Sequence, residues 1–125
     1  MNSKTHNIVI CDDDPVVVNL VALSLELAGY SVLKSLDSPV ALELLKSKPD
    51  FYDIVILDHM MPKLDGLTMV KELRQCNFPG KILLLSGCLD DQIREEYSRL
   101  AVDKMMAKPY KMEDLLNTVA ELVAE

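Results

Sequence analysis

The chain has 125 residues, half of them apolar, with 20 acidic residues against 13 basic ones for a formal net charge of −7. That is one domain with aliphatic material for a core, and its acidic balance without any basic run disfavours nucleic-acid binding and attachment to anionic membranes. No apolar run is long enough to span a bilayer, the polar opening MNSKTHN is no secretory signal, and three widely spaced cysteines, Cys11, Cys76 and Cys88, fit a reducing cytoplasm better than a disulfide or zinc framework.

Apolar runs and helical stripes then alternate. Ile8 to Cys11 reads as a short buried strand, with Cys11 a small buried residue at its end. Asp14-Pro15 signals a helix start, cap then proline. That helix carries Val16, Leu20, Leu23 and Leu27 on one stripe, and Gly29 stops it just after Ala28. It is unusually apolar: Val17, Val18 and Val21 cannot all face a sheet as well, which suits docking of a partner protein or, more simply, packing against the last helix. Tyr30 to Lys34 is a second strand. Ser38-Pro39 repeats the cap-then-proline signal for a helix to about Lys46, with Ala41, Leu44 and Leu45 inward.

The third strand is Asp53 to Leu57. A helix from Gly66 to Cys76 turns Met69, Val70 and Leu73 inward. Lys81 to Ser86 is the fourth strand. Asp90-Asp91 then begin a helix with Ile93, Tyr97 and Leu100 on its apolar side. Lys104 to Ala107 forms the fifth strand. A last helix, Lys111 to Ala124, has Met112, Leu115, Leu116, Val119 and Val123 on one face. Five β-α units in strict alternation predict an α/β fold: one doubly wound parallel sheet with helices on both faces.

In such a sheet, sites form outside the carboxyl ends of the strands, where strand order reverses. Strand one ends in Asp12-Asp13-Asp14, strand three in Asp58, strand four in Ser86-Gly87, and strand five just before Lys108-Pro109. With strands one and three as neighbours, Asp12, Asp13 and Asp58 crowd together. Two unit charges ~4 Å apart repel by about 4 kcal/mol at an effective dielectric of ~20. A hard divalent cation offsets that, and oxygen ligands with room for water favour Mg²⁺. Lys108 adds a positive charge, Ser86 a hydroxyl, and Gly87 close access to backbone N–H groups. A metal, an ammonium, a hydroxyl and a bare carboxylate suit phosphoryl transfer, with a carboxylate able to take the group covalently.

The stretches IVICDDDP, DIVILDHMMPKLDG, ILLLSG and AKPY stand in this order along the chain. In these the chain resembles the receiver domain of two-component response regulators, over essentially its whole length. The resemblance implies a (βα)5 flavodoxin-like fold with strand order 2-1-3-4-5 and a single receiver domain over residues 1–125 with no output domain. It implies Asp58 as phosphoacceptor, and Mg²⁺ held by Asp12, Asp13, Asp58 and the backbone carbonyl of Met60. Ser86 would be the switch hydroxyl, and Lys108, before a cis bond to Pro109, the partner of the phosphoryl oxygens. A sensor histidine kinase or histidine phosphotransfer protein would be the donor in the cytoplasm. A downstream protein would read the face made by the fourth helix, fifth strand and fifth helix. Such a domain catalyses only its own phosphorylation and dephosphorylation.

Plainer roles suit some residues better. Asp14 is a cap rather than a ligand. His59 flanks the pocket and tunes access or lifetime rather than acting as a base. Two departures bear on signalling: Met105 stands where the family often has an aromatic residue, and Ala101-Val102-Asp103 replaces the commoner Gly-Ala-Asp. Two other functions compete. The DDDPV stretch, Asp12 to Val16, matches the nucleophile pattern of haloacid-dehalogenase-like phosphatases, with Asp12 as nucleophile, but leaves LDHMMPKLDG without a role. A phosphate-independent binding module would keep the fold, but it would not need the acidic pair, acceptor and lysine together.

Overall fold

The computed structural model describes residues 5–125; the polar lead of residues 1–4, part of the stretch read above as no signal peptide, lies outside them. Ten elements alternate along the chain: β1 Asn7–Cys11, α1 Pro15–Leu27, β2 Ser31–Ser35, α2 Ser38–Ser47, β3 Ile54–Asp58, α3 Gly66–Gln75, β4 Lys81–Ser86, α4 Asp91–Arg99, β5 Lys104–Ala107 and α5 Met112–Ala124. The strands pair in parallel in the order β2-β1-β3-β4-β5. Order reverses beside β1, so the ends of β1 and β3 face each other across the crevice, as expected.

Alternate strand residues feed two cores. Val9, Cys11, Val55, Leu57, Ile82 and Leu84 point to the side covered by α2, α3 and α4. Ile8, Ile10, Ile54, Ile56, Leu83 and Leu85 point to the side covered by α1 and α5. Both faces are buried, which is why these strands read as unbroken apolar runs.

The phase of α1 differs from the expectation. Val18, Val21, Ala22 and Leu25 are its buried residues, while Val16, Leu20, Leu23 and Leu27 are 71, 55, 54 and 81% exposed. A helix apolar around most of its circumference has more than one plausible stripe, and the strand it packs on chooses among them. Leu25→Ala is therefore expected to cost about 2–5 kcal/mol, and Leu27→Ser to stay within about 0.5 kcal/mol of the parent, both read from urea unfolding.

Smaller corrections follow the same logic. Leu42, not Leu44, joins Ala41 and Leu45 as the buried face of α2, and Leu122 joins Leu115 and Val119 in α5. Asp37 rather than Ser38 caps α2, its carboxylate accepting from the Val40 N–H; proline occupies the second helical position, so the cap lies one residue earlier. Asp14 caps α1 as read from the sequence, and of the Asp90-Asp91 pair expected to begin α4, Asp90 is its cap. Strand β2 is shifted one residue, to Ser31–Ser35. So is β3: Asp53 sits below it, accepting from the Asn7 N–H at 2.8 Å, and Asp58 becomes its last residue, in register with Leu85.

Two helix ends pass through the left-handed region without glycine, at Asn77 (φ 58°) and Ala101 (φ 57°). Asparagine tolerates this conformation. For alanine it costs about 1–2 kcal/mol. Here the Ala-Val-Asp departure noted above has its structural meaning. The Arg74 guanidinium, reaching from α3, offsets the strain by donating to the carbonyls of Leu100 and Ala101 at 2.8 and 2.7 Å.

Candidate functional site at the carboxyl edge of the sheet

Each strand delivers its site residue through backbone bonds that leave little freedom. The Asp12 N–H, just past β1, donates to the Ser35 carbonyl at the end of β2. Its carboxylate accepts from the Asp14 N–H at 3.0 Å and from Lys108 Nζ at 3.1 Å, and the residue is 1% exposed. Asp58 is 7% exposed, and Lys108 Nζ lies 3.1 Å from its Oδ1. The Lys108 N–H donates to the Ser86 carbonyl at 2.8 Å, and the bond to Pro109 is cis. One ammonium thus bridges two buried carboxylates.

Asp13 completes the group from the exposed side. Oxygens of Asp12, Asp13 and Asp58 all lie within 4.8 Å of one another. Three carboxylates against one ammonium leave an uncompensated negative charge. Burial holds the Asp12 carboxyl above the usual carboxylate range, against the opposing bonds from Asp14 and Lys108. Burial also works against the charge on Lys108, but its hydrogen bonds to Asp12 and Asp58 outweigh this and hold its pKa above the ordinary value. An all-oxygen donor set with excess negative charge and one exposed member fits a hard cation that keeps part of its water. Beside it, Asp13, Met60, Met61, Pro62 and Asp65 line a recess. Cys11 lies behind, its thiol pushed up to about 12 by burial and its Sγ 3.6 Å from Met61 Sδ; it is packing rather than chemistry.

Ser86 is fully buried, and its hydroxyl is engaged with the Cys88 backbone. It donates to the Cys88 carbonyl at 2.9 Å and accepts from the Cys88 N–H at 3.0 Å. A side chain on Gly87 would meet open space, so local packing does not demand glycine there.

One part of the site escaped the sequence reading. His59 Nδ1 lies 2.5 Å from the Tyr97 hydroxyl, with the rings edge to face at 5.4 Å. Tyr97 read as core, and it is, at 0% exposed; that its hydroxyl needs a buried partner was the available signal. Gly66 makes the approach possible. A Cβ there would stand 2.7 Å from the Tyr97 hydroxyl and 2.9 Å from the Asp58 carbonyl. Gly66→Ala is expected to destabilise by about 1–3 kcal/mol, since the Asp58 backbone cannot yield; thermal unfolding checks it.

With this geometry in place, the sequence matches the family described as "Response regulator receiver domain" over residues 8–120. The chain belongs to that family. Among curated relatives, the receiver is 34% identical to the DNA-binding dual master transcriptional regulator RpaA of Synechocystis sp., over 93% of this chain and 48% of that one. It is also 34% identical to the alkaline phosphatase synthesis transcriptional regulatory protein PhoP of Bacillus subtilis, over 88% of this chain and 44% of that one. The chain thus spans about half the length of these relatives. Among solved structures, it superposes on the chemotaxis protein CheY4 of Vibrio cholerae with a TM-score of 0.86 at 25% identity, covering 95% of this chain and 99% of that one. The receiver domain of Francisella response regulator 1452 gives a TM-score of 0.87 at 26% identity, over 94% and 96%. Receivers of this family are phosphoacceptor domains of two-component signalling, and the phosphatase alternative falls away with the match. No helix among the described residues is long and apolar enough to cross a membrane.

Proposed function

We propose that Asp58 accepts a phosphoryl group from a sensor histidine kinase or a histidine phosphotransfer protein, in the cytoplasm, and that a downstream protein reads the result. The observation that carries this is the single lysine, Lys108, set 3.1 Å from both Asp12 and Asp58. It holds Asp58 beside the acidic pair Asp12 and Asp13, whose oxygens lie within 4.8 Å of its own.

Asp12, Asp13, Asp58 and the Met60 backbone carbonyl would hold Mg²⁺, which when bound supplies positive charge against the phosphoryl oxygens. The remaining work falls to the chain. An Asp58 oxygen attacks phosphorus as the P–N bond to the donor imidazole breaks, and the leaving nitrogen takes a proton. A carboxylate nucleophile needs no base. Lys108 passes from the carboxylate to the oxygens of the transferred group and stabilises their charge. The Ser86 hydroxyl leaves Cys88 and donates to the same oxygens, carrying the β4–α4 loop with it. The face formed by α4, β5 and α5 changes as a consequence. Dephosphorylation is the same site acting on water. The domain thus catalyses only its own modification.

Intact-mass analysis after incubation with acetyl phosphate tests the reading. One phosphoryl addition is expected with Mg²⁺ and none with a chelator. A cognate kinase and acetyl phosphate both leaving the mass unchanged would reduce the domain to a phosphate-independent module.

A further inference from the structure

The Tyr97–His59 contact joins a residue held by backbone bonds on both sides to a helix of which only one residue is fully buried. His59 is held on both sides. Its N–H donates to the Leu85 carbonyl in β4 at 3.1 Å, and its own carbonyl accepts from the Gly66 N–H at 3.0 Å. Tyr97 is the one buried residue of α4, and every other residue of that helix is exposed or half-buried. The helix is clamped at its carboxyl end by Arg74. At its amino end it hangs from the loop that Ser86 and Cys88 organise. Burial, with the Asp65 and Asp58 charges adding to it, raises the Tyr97 phenol above its ordinary pKa, and its hydroxyl lies against His59 Nδ1.

A hydrogen bond between a fixed group and a movable helix favours one helix position over the other. In this structure it is made while the Ser86 hydroxyl is engaged with Cys88, the arrangement that a phosphoryl group on Asp58 would disrupt. We infer that Tyr97 is a positioning residue: its hydroxyl braces α4 against His59 in the resting position, and the bond must stretch or break for the helix to shift. This rests on Asp58 being the acceptor. Met105, at the neighbouring strand, has no hydroxyl to serve the same purpose.

The brace opposes activation, so removing it makes the phosphorylated-like state easier to reach. Tyr97→Phe keeps the ring and its packing and deletes only the hydroxyl. With Mg²⁺ and beryllofluoride, a phosphoryl mimic, the variant is expected to bind the mimic about two- to tenfold more tightly than the parent. Without the mimic, amides of α4 are expected to exchange faster. A merely structural role would lower the affinity or leave it unchanged. In a His59→Phe background, Tyr97→Phe is expected to have no further effect on affinity. Unchanged or weakened binding by a folded Tyr97→Phe protein would overturn the brace, as would full persistence of its effect in the His59→Phe background. Failure of the parent to bind beryllofluoride would instead overturn the phosphoacceptor reading beneath it.

Discussion

Asp58→Asn is expected to take up no phosphoryl group from acetyl phosphate, under conditions where the parent gains one, and to be more stable than the parent without metal. Asparagine keeps the shape of the side chain but offers no anionic oxygen to phosphorus. The stability gain comes from the charges around it. Asp58 stands within reach of two like charges, Asp12 and Asp13, and one opposite charge, Lys108. At an effective dielectric of ~20 the attraction at 3.1 Å is about 5 kcal/mol and the two repulsions within 4.8 Å together reach about 7 kcal/mol, so the repulsions exceed the attraction. Lys108 keeps its bond to Asp12 in the variant. Exposure of Asp13 screens its share, leaving an expected gain of about 1–2 kcal/mol, or several degrees in melting temperature. Mass addition that persists in the variant would move the nucleophile elsewhere, with Asp12 the first suspect.

Asp13→Asn is expected to raise the Mg²⁺ concentration for half-maximal phosphorylation tenfold or more, because affinity for a hard cation follows the ligand charge count. The substitution isolates metal binding better than one at Asp12. Asp12 also anchors the Asp14 N–H and Lys108, so changing it disturbs the pocket as a whole. Asp13 sits at the open edge. Saturating Mg²⁺ should restore most of the rate. The parent protein should melt higher as Mg²⁺ is added, by about 2.7 kcal/mol at a hundred times the dissociation constant. An unchanged Mg²⁺ requirement in the variant would remove Asp13 from the metal site.

The layout of the fold was legible because strands buried on both faces leave unbroken apolar runs, and because Asp14-Pro15, Gly29 and Asp90 punctuate the helices between them. The site was legible for a related reason: its residues end the strands or follow them directly, so chain order places Asp12, Asp13, Asp58, Ser86 and Lys108 on one rim. Family resemblance supplied their roles, and the geometry brings the carboxylates and Lys108 together. What could not be read depends on phase or on distant pairing. α1 offers several apolar stripes, and only its docking on the sheet selects Val18, Val21, Ala22 and Leu25. The direction of the Ser86 hydroxyl is a rotamer, not a pattern. His59 and Tyr97 are 38 positions apart, and nothing local in either stretch announces the other.

With its carboxyl end clamped by Arg74, α4 would move as a lever once the inferred brace is released. Its fulcrum is the pair of carbonyls at Leu100 and Ala101 that Arg74 grips. At 1.5 Å per residue, Tyr97 lies about 4.5 Å from Leu100 along the helix and Asp91 about 13.5 Å. The arms therefore differ by a factor of about three. If the brace is released as inferred, stretching the Tyr97–His59 bond by about 1 Å, enough to lose it, would swing the first turn of α4 by about 3 Å. On that reading a downstream protein would gain most from gripping the far end of that arm, around Asp91, Arg94 and Glu95, where a small event at Asp58 would be geared up into a displacement the width of a side chain.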